Sequence, residues 1–432
     1  MRRKASGATA QLVMHRILVI SHGHPDFSKG GAEIVAYNLF TELNKRDDCE
    51  ALFLARHGIP TVGHDTTSFS THNHGSEVLV KSYTDFFLFS QTCMRFVNNE
   101  FRALLERFRP TAVHFHHYLD VGIELLRAVR NYSADIPIVL TLHEYLAICN
   151  NLGQMIKSNH QLCWKASPAE CHVCIPSKPP AEYLLRELYL KSFFGLVDIF
   201  IAPSQFLLNR YVEWGLPRSK MVLMENGQVP AAKLPPRSLR AGELRGRFAY
   251  FGQIDVFKGV DLLLEAFARL PHALKKQLSL EIHGGDLDDQ PTEYKRFQDK
   301  VYSLLEAEKH AVRYFGEYEP HELPRLMERI DWVVVPSIWW ENSPLVIQEA
   351  MKFGRPVICA DIGGMAEKVS DRRNGLHFRA RNPLDLAARI DEAATTEGLW
   401  DTLYDITTPV FSIAEQTDQL MSFYRTTSNL PL

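Results

Sequence analysis

The feature that most constrains the fold is a regular alternation of short apolar runs with amphipathic helical patterns. Runs such as HRILVIS at 15–21 and WVVVPS at 332–337 are almost continuously apolar and do not alternate with polar residues. Strands that are buried on both faces of a parallel sheet have this pattern. Helical patterns such as GAEIVAYNLFTEL at 31–43 lie between the runs. We therefore predict an α/β protein with doubly wound parallel sheets.

A segment rich in Pro, Gly and polar residues at 226–245 divides this pattern into two halves. It has the composition of a linker, and the alternation restarts after it with FAYFGQ at 248–253. With 432 residues, 46% of them hydrophobic, the chain is long enough for two full cores. We predict two Rossmann-like domains that face a central cleft, at 1–233 and 234–411, and a last segment at 412–432 that could pack back on the first domain. Ligands of such sheets bind outside the carboxyl ends of the strands, so we expect the binding site in that cleft.

Charge and hydropathy exclude several classes of protein. The formal net charge of −3 gives no general attraction to nucleic acid, so no nucleic-acid partner is expected. No apolar run is long enough to span a bilayer, and the stretch 1–16 lacks the continuous apolar region of a secretory signal. Seven cysteines, an odd number, fit a reducing compartment better than a disulfide framework. We therefore expect a cytoplasmic protein.

The stretch VPSIWWENSPLVIQEAMKFGRPVICAD at 335–361 contains a helix with clear start and stop signals. Ser343 can cap this helix, Pro344 fits its first turn and Gly354 ends it. We predict a helix over about 344–353. The free N–H groups and the positive dipole end of such a helix form a site for a phosphate or diphosphate.

Two glutamates lie around this helix. Glu341 precedes it, and Glu349 lies within it, five residues past Pro344, which is about 8 Å along the axis at 1.5 Å per residue. A ligand with a diphosphate at the helix start would place a ribose near Glu349 and a third group near Glu341. Spacing alone also allows a second interpretation, in which Glu341 is a surface residue and Glu349 pairs with Lys352 or Arg355.

Five stretches, in the same order as in a known family, carry a resemblance that spans residues 16 to about 385. They are KGGAEIVAYNLFTEL, TLHEY, FAYFGQIDVFKGVDLLLEAF, ENSPLVIQEA and IGGMAEKVSDRRNGLHF. ENSPLVIQEA closely resembles the E-x7-E signature of the retaining glycosyltransferases of GT-B fold, family 4 type. The resemblance implies transfer of a sugar from a nucleotide-diphosphate-sugar donor to an acceptor hydroxyl, with retained anomeric configuration, in polysaccharide or glycoconjugate synthesis. It implies no catalytic metal and no cofactor beyond the donor.

The resemblance also implies roles for individual residues. Glu349 would accept hydrogen bonds from the ribose, Glu341 would contact the donor sugar near the reacting carbon, and Lys258 would neutralise the leaving diphosphate. The residues that would hold the diphosphate or the sugar from the start of the helix are Ser343, Pro344, Leu345 and Val346.

Three further positions follow from the same resemblance. His143 ends the strand IPIVLTLH and would contact the donor sugar, followed by Glu144 where the family commonly has Asp. Gly31 follows Gly30 at the start of the first helix, where small residues let a ligand approach the backbone. Gln253 stands where the family usually has Arg, and its amide can hydrogen-bond a phosphate but carries no charge.

The uncharged Gln253 leaves the diphosphate with fewer cations than the family usually supplies. Either backbone amides assist Lys258 in stabilising the diphosphate, or Arg313 or Arg355 supplies the missing positive charge. Without its Lys-Gly context, Lys258 would be interpreted as an exposed loop lysine.

The segment 145–195 is the most individual stretch of the chain. It contains four cysteines, two of them in a Cys-x2-Cys pair: Cys149, Cys163, Cys171 and Cys174. They either bind a structural zinc or, because the outer spacings are irregular, are free thiols in a long acceptor-side loop. The stretch AEYLLRELYLKSFFGLV at 181–197 is amphipathic with Arg186 and Lys191. It is either a core-facing helix or a helix that contacts a membrane surface with a lipid-linked acceptor.

The expected partners are a nucleotide-sugar donor and a saccharide or lipid-linked saccharide acceptor, with peripheral contact to the inner face of the membrane as an option. Two other functions remain open: a sugar-nucleotide epimerase of the same fold, and a non-catalytic two-lobed sugar-nucleotide-binding protein. Turnover of a sugar nucleotide would separate an enzyme from a binding protein, and transfer to an alcohol would separate a transferase from an epimerase.

Overall fold

The computed structural model describes residues 14–28, 30–57, 68–285, 287–288, 291–406 and 410–425. The predictions for the N-terminal stretch up to residue 13 and for the chain end beyond residue 425 lie outside the described residues. The chain divides into two compact units. Unit 1 comprises Met1–Thr141, Leu188–Ile201 and Ala414–Leu432, and unit 2 comprises Leu142–Glu187 and Ala202–Ile413.

The described residues form strands and helices in the alternating order that the sequence predicts. The strands are β1 (His15–Ser21), β2 (Cys49–Arg56), β3 (Phe69–His72), β4 (Glu77–Val80), β5 (Ala112–Phe115), β6 (Ile138–Thr141), β7 (Ile199–Ala202), β8 (Met221–Leu223), β9 (Arg247–Phe251), β10 (Ser279–His283), β11 (Val312–Gly316), β12 (Trp332–Val335), β13 (Val357–Ala360) and β14 (Gly375–Phe378). The helices are α1 (Gly31–Leu43), α2 (Arg102–Phe108), α3 (Glu124–Tyr132), α4 (Pro168–Cys174), α5 (Pro180–Phe194), α6 (Gln205–Trp214), α7 (Val260–Ala268), α8 (His272–Lys275), α9 (Lys295–Ala307), α10 (Leu323–Glu328), α11 (Leu345–Lys352), α12 (Gly363–Lys368), α13 (Pro383–Thr395), α14 (Leu399–Ile406) and α15 (Ile413–Tyr424).

Unit 1 contains a sheet with the strand order β3-β4-β2-β1-β5-β6-β7. Its pairs are parallel, except for the antiparallel pair of β3 and β4 at one edge. Residues Ile17 to Ile20 of the central strand β1 are fully buried, which explains their continuous apolar sequence. The predicted doubly wound parallel sheet is therefore confirmed, although its antiparallel edge strand carries no clear sequence signal.

Two helical segments of unit 1 differ from a simple helix between strands. A π-helical stretch, Phe96–Phe101, directly precedes α2. The C-terminal helix α15 lies in unit 1, where the hydroxyl of Tyr424 hydrogen-bonds Nδ1 of His114 at 2.6 Å. Arg46 pairs with Asp418 of the same helix at 2.5 Å.

Unit 2 contains a second sheet, in which β9 and β12 are the central strands. The order is β11-β10-β9-β12-β13-β14, and neighbouring strands run parallel. All carboxyl ends therefore lie at the same edge, so that the loops after β9 and β12 are neighbours. Trp332 and Phe267 are among the fully buried residues of the core around this sheet.

The predicted linker at 226–245 has neither helix nor strand, apart from an isolated bridge between Gln228 and Ser412. It is nevertheless fixed to unit 2. Arg237 and Arg245 reach the fully buried carboxylate of Asp331, at 2.9 and 3.4 Å. The composition therefore predicts the irregular backbone of this segment. Its attachment to the rest of unit 2 depends on ion pairs between residues that are far apart in the chain.

The amphipathic stretch at 181–197 forms most of α5, and Arg186 does not lie on an exposed cationic face. Its guanidinium is buried and donates to the backbone carbonyls of Ala147 at 2.7 Å and Leu146 at 2.5 Å. Among the helices of the described residues, none combines the length and apolar character needed to cross a bilayer.

Candidate active site

The loop that follows β12 holds Glu341 almost completely buried, with 7% of its side chain exposed. Oε1 of Glu341 accepts three hydrogen bonds, from Lys258 Nζ at 2.8 Å, Ser337 Oγ at 2.7 Å and Trp339 Nε1 at 3.0 Å. No described residue donates to Oε2. The orientation of the carboxylate is thus fixed through one oxygen, and the second oxygen can accept a hydrogen bond from a ligand.

Lys258 lies in the turn between β9 and α7. Oδ1 of Asp255 accepts the backbone N–H groups of Phe257 at 2.6 Å and Lys258 at 3.0 Å, which closes this turn. Nζ of Lys258 also lies 5.4 Å from the ring centroid of Trp339. Burial alone would lower the pKa of Lys258, but the carboxylates of Glu341 and Asp255 raise it above its ordinary value. The lysine is therefore a positive charge at neutral pH.

Glycines bring these loops into close contact. Gly259 has a φ of +72°, and a Cβ atom there would lie 2.1 Å from the carbonyl oxygen of Pro336. A Cβ atom on Gly364 would lie 1.6 Å from the carbonyl oxygen of Asn342, and its N–H donates to the carbonyl of Glu341 at 2.6 Å. Any larger residue at these two positions would push the loops apart. The glycines at positions 259 and 364, in the Lys-Gly and Gly-Gly sequences of the two motifs, are therefore required for steric reasons.

The start of α11 differs from the prediction. Pro344 is the N-cap residue, and Ser343 makes no capping hydrogen bond, so the predicted cap is wrong. Ser343 lies one residue too early, and its Oγ is buried without a partner. The N–H groups of Leu345 and Val346 have no acceptor among the described residues, whereas that of Ile347 donates to the carbonyl of Pro344 at 3.1 Å. Two unpaired N–H groups at a positive helix end suit an anionic ligand.

Glu349 has surroundings unlike those of Glu341. It is half-buried on α11, and no described residue donates a hydrogen bond to its carboxylate or forms an ion pair with it. Burial raises the pKa of Glu349 above its ordinary value, and the charge of Lys352 offsets only some of that effect. Lys352 itself lies 3.4 Å from the carbonyl of Val229, to which it donates. In the part of the chain that the structure describes, neither Lys352 nor Arg355 forms an ion pair with Glu349, so the alternative interpretation of Glu349 is not observed.

The two arginines considered as substitutes for a charge at Gln253 have different surroundings. Arg355 is fully buried and donates to the carbonyls of Met327 at 2.7 Å and Pro235 at 3.0 Å. It therefore holds the protein's own backbone, and the suggestion that it binds diphosphate is wrong. Arg313 is exposed on β11, an edge strand, and Gln253 is exposed directly after β9.

The segment after β6 is joined to the loop of Glu341 within unit 2. Nδ2 of Asn342 donates to the carbonyl of Leu142 at 3.3 Å, and Oδ1 of Asn342 accepts the hydroxyl of Ser204 at 2.6 Å. His143 is half-buried and directly follows Leu142. The structure thus brings the backbone beside His143 into contact with the residue that follows Glu341.

Glu144, the residue after His143, is also held by protein groups. Its carboxylate accepts the N–H of Leu146, and its backbone carbonyl accepts the hydroxyl of Tyr211 at 3.0 Å. Burial raises the pKa of Glu144 to about 8, and the charge of Arg186 offsets some of that effect.

Gly31 begins α1 in unit 1, with Gly30 as its N-cap residue. A Cβ atom on Gly30 would lie 2.3 Å from Oε2 of Glu33. Oε1 of this buried carboxylate accepts the hydroxyl of Ser28 at 2.7 Å and lies 3.2 Å from Nε2 of His22. Burial alone would raise the pKa of Glu33, but its hydrogen bonds with His22 and Ser28 lower it to about 2. The glycine therefore makes room for a carboxylate of the same helix.

Several residues that hold the site carry no motif that predicts them from the sequence. Ser337 and Trp339 fix Oε1 of Glu341, and Asn342 ties its loop to Leu142. Glu367 accepts the N–H groups at the start of α6, including that of Gln205 at 2.8 Å. Ser337, Trp339 and Asn342 lie in the loop between β12 and α11, and this position after a buried strand was the available signal.

The four cysteines of the 145–195 segment lie in unit 2 as free thiols, and all of them line one small cavity. In unit 1, one group of three side chains has potential metal-ligand atoms within 4.8 Å of one another, formed by His24, Asp26 and His72. In that group the Nδ1 of His24 already accepts the N–H of Asp26 at 3.2 Å.

Comparison with known proteins covers both halves of the chain. The protein-family model described as "Glycosyltransferase Family 4" matches residues 29–231, and the family model described as "Glycosyl transferases group 1" matches residues 237–403. An uncharacterized glycosyltransferase of Methanocaldococcus jannaschii is 28% identical over 164 residues, which are 38% of this chain and 39% of that protein. The chain spans less than two thirds of the length of this and the other first curated relatives.

Solved structures share the fold over nearly the whole chain. Sucrose-phosphate synthase from Thermosynechococcus elongatus has a TM-score of 0.69 at 20% identity, with 94% of this chain and 98% of that chain covered. The Anabaena protein HepE, solved in complex with UDP and glucose, has a TM-score of 0.63 at 18% identity, with 94% and 99% covered. The fold is therefore GT-B, and the chain belongs to the glycosyltransferases, with a family 4 match in its first half and a group 1 match in its second.

Proposed function

We propose that this chain is a retaining glycosyltransferase that moves a sugar from a nucleotide-diphosphate-sugar donor to an acceptor hydroxyl, in polysaccharide or glycoconjugate synthesis. The observation that carries the proposal is the ion pair of Lys258 with Glu341, at 2.8 Å, in the loop that leads to the start of α11. A fixed cation, an anchored carboxylate and unpaired helix N–H groups are the groups that a reacting sugar diphosphate requires.

The leaving diphosphate is the first element of the proposed mechanism. As the bond between the anomeric carbon and the diphosphate oxygen breaks, negative charge grows on the phosphate. Lys258 donates one of its three N–H bonds to Glu341, and its other two can donate to phosphate oxygens. The N–H groups of Leu345 and Val346 add to this stabilisation. Because these groups are already positioned, they need little reorganisation as the charge develops.

Glu341 acts on the sugar. Its Oε1 is fixed by protein donors, and its Oε2 would accept a hydroxyl of the donor sugar. Its negative charge would favour positive charge at the reacting carbon. The acceptor oxygen then bonds to that carbon on the face from which the diphosphate leaves, and the acceptor proton passes to a phosphate oxygen. This same-face course is what the family resemblance favours, and it retains the anomeric configuration.

The remaining predicted residues complete the donor site. The carboxylate of Glu349 would accept the ribose hydroxyls, which would provide the hydrogen bonds that its half-buried position lacks. His143 would contact the donor sugar, and the amide of Gln253 would hydrogen-bond a phosphate. Residues 234–411 would bind the nucleotide sugar, and residues 1–233, including the turn at Gly31, would shape the acceptor site.

The proposed donor and acceptor follow from the relatives and from α5. The UDP and glucose in the Anabaena structure make UDP-glucose the first donor to test. The acceptor would be a saccharide or a lipid-linked saccharide. On α5, Leu184, Leu185 and Leu188 are 47%, 63% and 56% exposed, and Lys191 lies on the same helix. Contact of this apolar face with the inner surface of the membrane, by a cytoplasmic protein, would bring it to a lipid-linked acceptor.

The proposal is tested with the full chain and a panel of sugar nucleotides. A bound donor should raise the melting temperature, and the stabilising donor should release its nucleoside diphosphate when alcohols or oligosaccharides are added. The anomeric configuration of the product, read by proton NMR, should match that of the donor. An inverted product would exclude the retaining course.

The same assay separates the two other functions. Conversion of the donor to its epimer without an acceptor would identify an epimerase. Stabilisation by a sugar nucleotide with no turnover across the acceptor panel would identify a binding protein. Either result would contradict the proposed transfer.

A further inference from the structure

The segment between β6 and α5 is long and nearly without regular structure. Over residues 142–179, the only helix is α4, with seven residues, and the only strand pairing is an isolated bridge between Ile156 and Leu162. Loops of this length inside a compact unit are uncommon and require their own source of order. Side chains of other segments hold it at separate points, such as the backbone carbonyls of Leu146 and Cys163.

The four cysteines of this segment converge on one place. A cavity of about 30 Å³ is lined by all of them, together with Met155 and Tyr183. They come from three separate stretches of the loop: Cys149 precedes the isolated bridge, Cys163 follows it, and Cys171 and Cys174 lie on α4. All four are free thiols of intermediate burial. Convergence of four thiols from three stretches of an irregular loop is what a tetrahedral thiolate site requires.

The surroundings of the thiols also suit a metal–thiolate centre. The backbone N–H of Ser158 donates to Sγ of Cys174 at 3.2 Å, and such bonds stabilise negative charge on sulfur. A divalent ion with four thiolates carries a net charge of −2. Lys157, Lys165 and Glu170 line the cavity. Lys157 is paired with Glu170 at 2.7 Å, so the charge of Lys165 would offset some of the negative charge of the centre.

The sulfur atoms are not yet at metal-binding distances from one another. No three of them lie within 4.8 Å of each other in the described residues, whereas sulfurs ~2.3 Å from a tetrahedral zinc lie about 3.8 Å apart. Binding must therefore draw them inward. The lack of regular structure around Cys149 and Cys163 permits this movement, and the cavity has about the volume that one ion or water needs.

We propose that Cys149, Cys163, Cys171 and Cys174 bind one structural zinc ion as thiolates. Binding releases four protons, one from each thiol, and involves no change of oxidation state. Four sulfur ligands leave no open coordination position, so this zinc would take no role in sugar transfer. The inference does not depend on the proposed function.

The zinc would also order the neighbourhood of Glu341. The carbonyl of Cys163 accepts Nε1 of Trp340 at 3.0 Å, and the rings of Trp164 and Trp340 lie 4.4 Å apart. Trp340 directly precedes Glu341. A metal bound through Cys163 would therefore hold the two tryptophans against each other and limit the movement of the loop with Glu341.

The main test is the metal content of the full chain, purified under reducing conditions without added chelator. We expect about one zinc per chain by elemental analysis of the wild type. The double variant Cys171→Ser, Cys174→Ser should lose it, because only two thiolates remain. Cys93→Ser is the matched control, since Cys93 is an exposed cysteine outside the loop, and it should keep its zinc.

A second measurement uses only the wild type, in case the double variant does not fold. A mercurial reagent should release zinc in proportion to the blocked loop thiols. Chelator-treated, reduced protein should regain one equivalent of zinc, with a higher melting temperature and a changed fluorescence of Trp164 and Trp340. Less than ~0.1 zinc per chain, both as purified and after addition of zinc, would overturn the proposal. Iron with visible absorbance would also overturn it, in favour of an iron–sulfur cluster.

Discussion

Glu341 and Glu349 lie eight residues apart in the sequence but are held in opposite ways. Oε1 of Glu341 accepts hydrogen bonds from a lysine, a serine and a tryptophan. The carboxylate of Glu349 has no donor among the described residues, and burial raises its pKa. One carboxylate is therefore anchored by the protein, whereas the other would gain its hydrogen bonds only from a ligand.

The different environments of the two carboxylates affect the stability of the folded protein in different ways. A buried charge whose partner is removed costs several kcal/mol, so loss of either member of the pair of Glu341 and Lys258 should destabilise the folded protein. A half-buried carboxylate without a partner destabilises the free protein, and such groups are retained where a ligand uses them. We therefore expect Glu341 to control the rate and Glu349 to control binding.

The largest expected effect is that of Glu341→Ala. It removes the anchored carboxylate and leaves Lys258 without its partner, so kcat should fall at least ~100-fold, with a loss of stability of about 2 kcal/mol. Donor affinity, measured by calorimetry, should change little in comparison. Glu341→Gln is the control that keeps the shape and loses the charge. If Glu341→Ala weakened only binding, the division of roles would be wrong.

Lys258→Met should have the next largest effect. Loss of the cation should lower kcat by roughly 100-fold with a diphosphate donor, and Lys258→Arg should recover some of the rate. Because Lys258 and Glu341 are in contact, the effects of Lys258→Met and Glu341→Gln should be strongly non-additive in a double-mutant cycle. Additive effects would show that the two side chains act independently.

Glu349→Gln should show the opposite balance. The affinity for a bare nucleoside diphosphate should fall about tenfold, because a charged acceptor of ribose hydroxyls is lost. The melting temperature of the free protein should rise, by an amount equivalent to about 1 kcal/mol, because a half-buried charge is removed. An unchanged dissociation constant in this folded variant would exclude the ribose role.

The smallest effect is a pH dependence. The folded-state pKa of Glu349 is raised above its ordinary value of 4.5, so the folded state retains a proton that the unfolded state releases. Stability should therefore decrease as pH rises through the window from 4.5 to the raised pKa. Nucleotide affinity should increase over the same window, since the charged carboxylate binds the hydroxyls. Both trends should be weaker in Glu349→Gln, and equal slopes in the two proteins would contradict this assignment.

Local patterns in the sequence predicted the architecture well. The apolar runs correspond to buried parallel strands, and the predicted helix over 344–353 differs from α11 by one residue at each end. Ser343 shows where local reasoning fails: serine is a favoured cap, but Pro344 already occupies the N-cap position. The antiparallel edge strand β3 was missed because it is short and lacks a continuous apolar pattern.

The sequence by itself determined the alternation of strands and helices, the irregular segment between the halves and the candidate residues of the resemblance. These features depend on spacing along the chain, on apolar periodicity and on short motifs. Only the tertiary structure decided which of those residues meet. Lys258 and Glu341 are 83 positions apart, and they pair because β9 and β12 are adjacent strands whose carboxyl ends lie at one edge. The tertiary structure likewise placed Arg355 among buried carbonyls and left Glu349 without a partner among the described residues. Burial and pairing depend on residues that are far away in the chain.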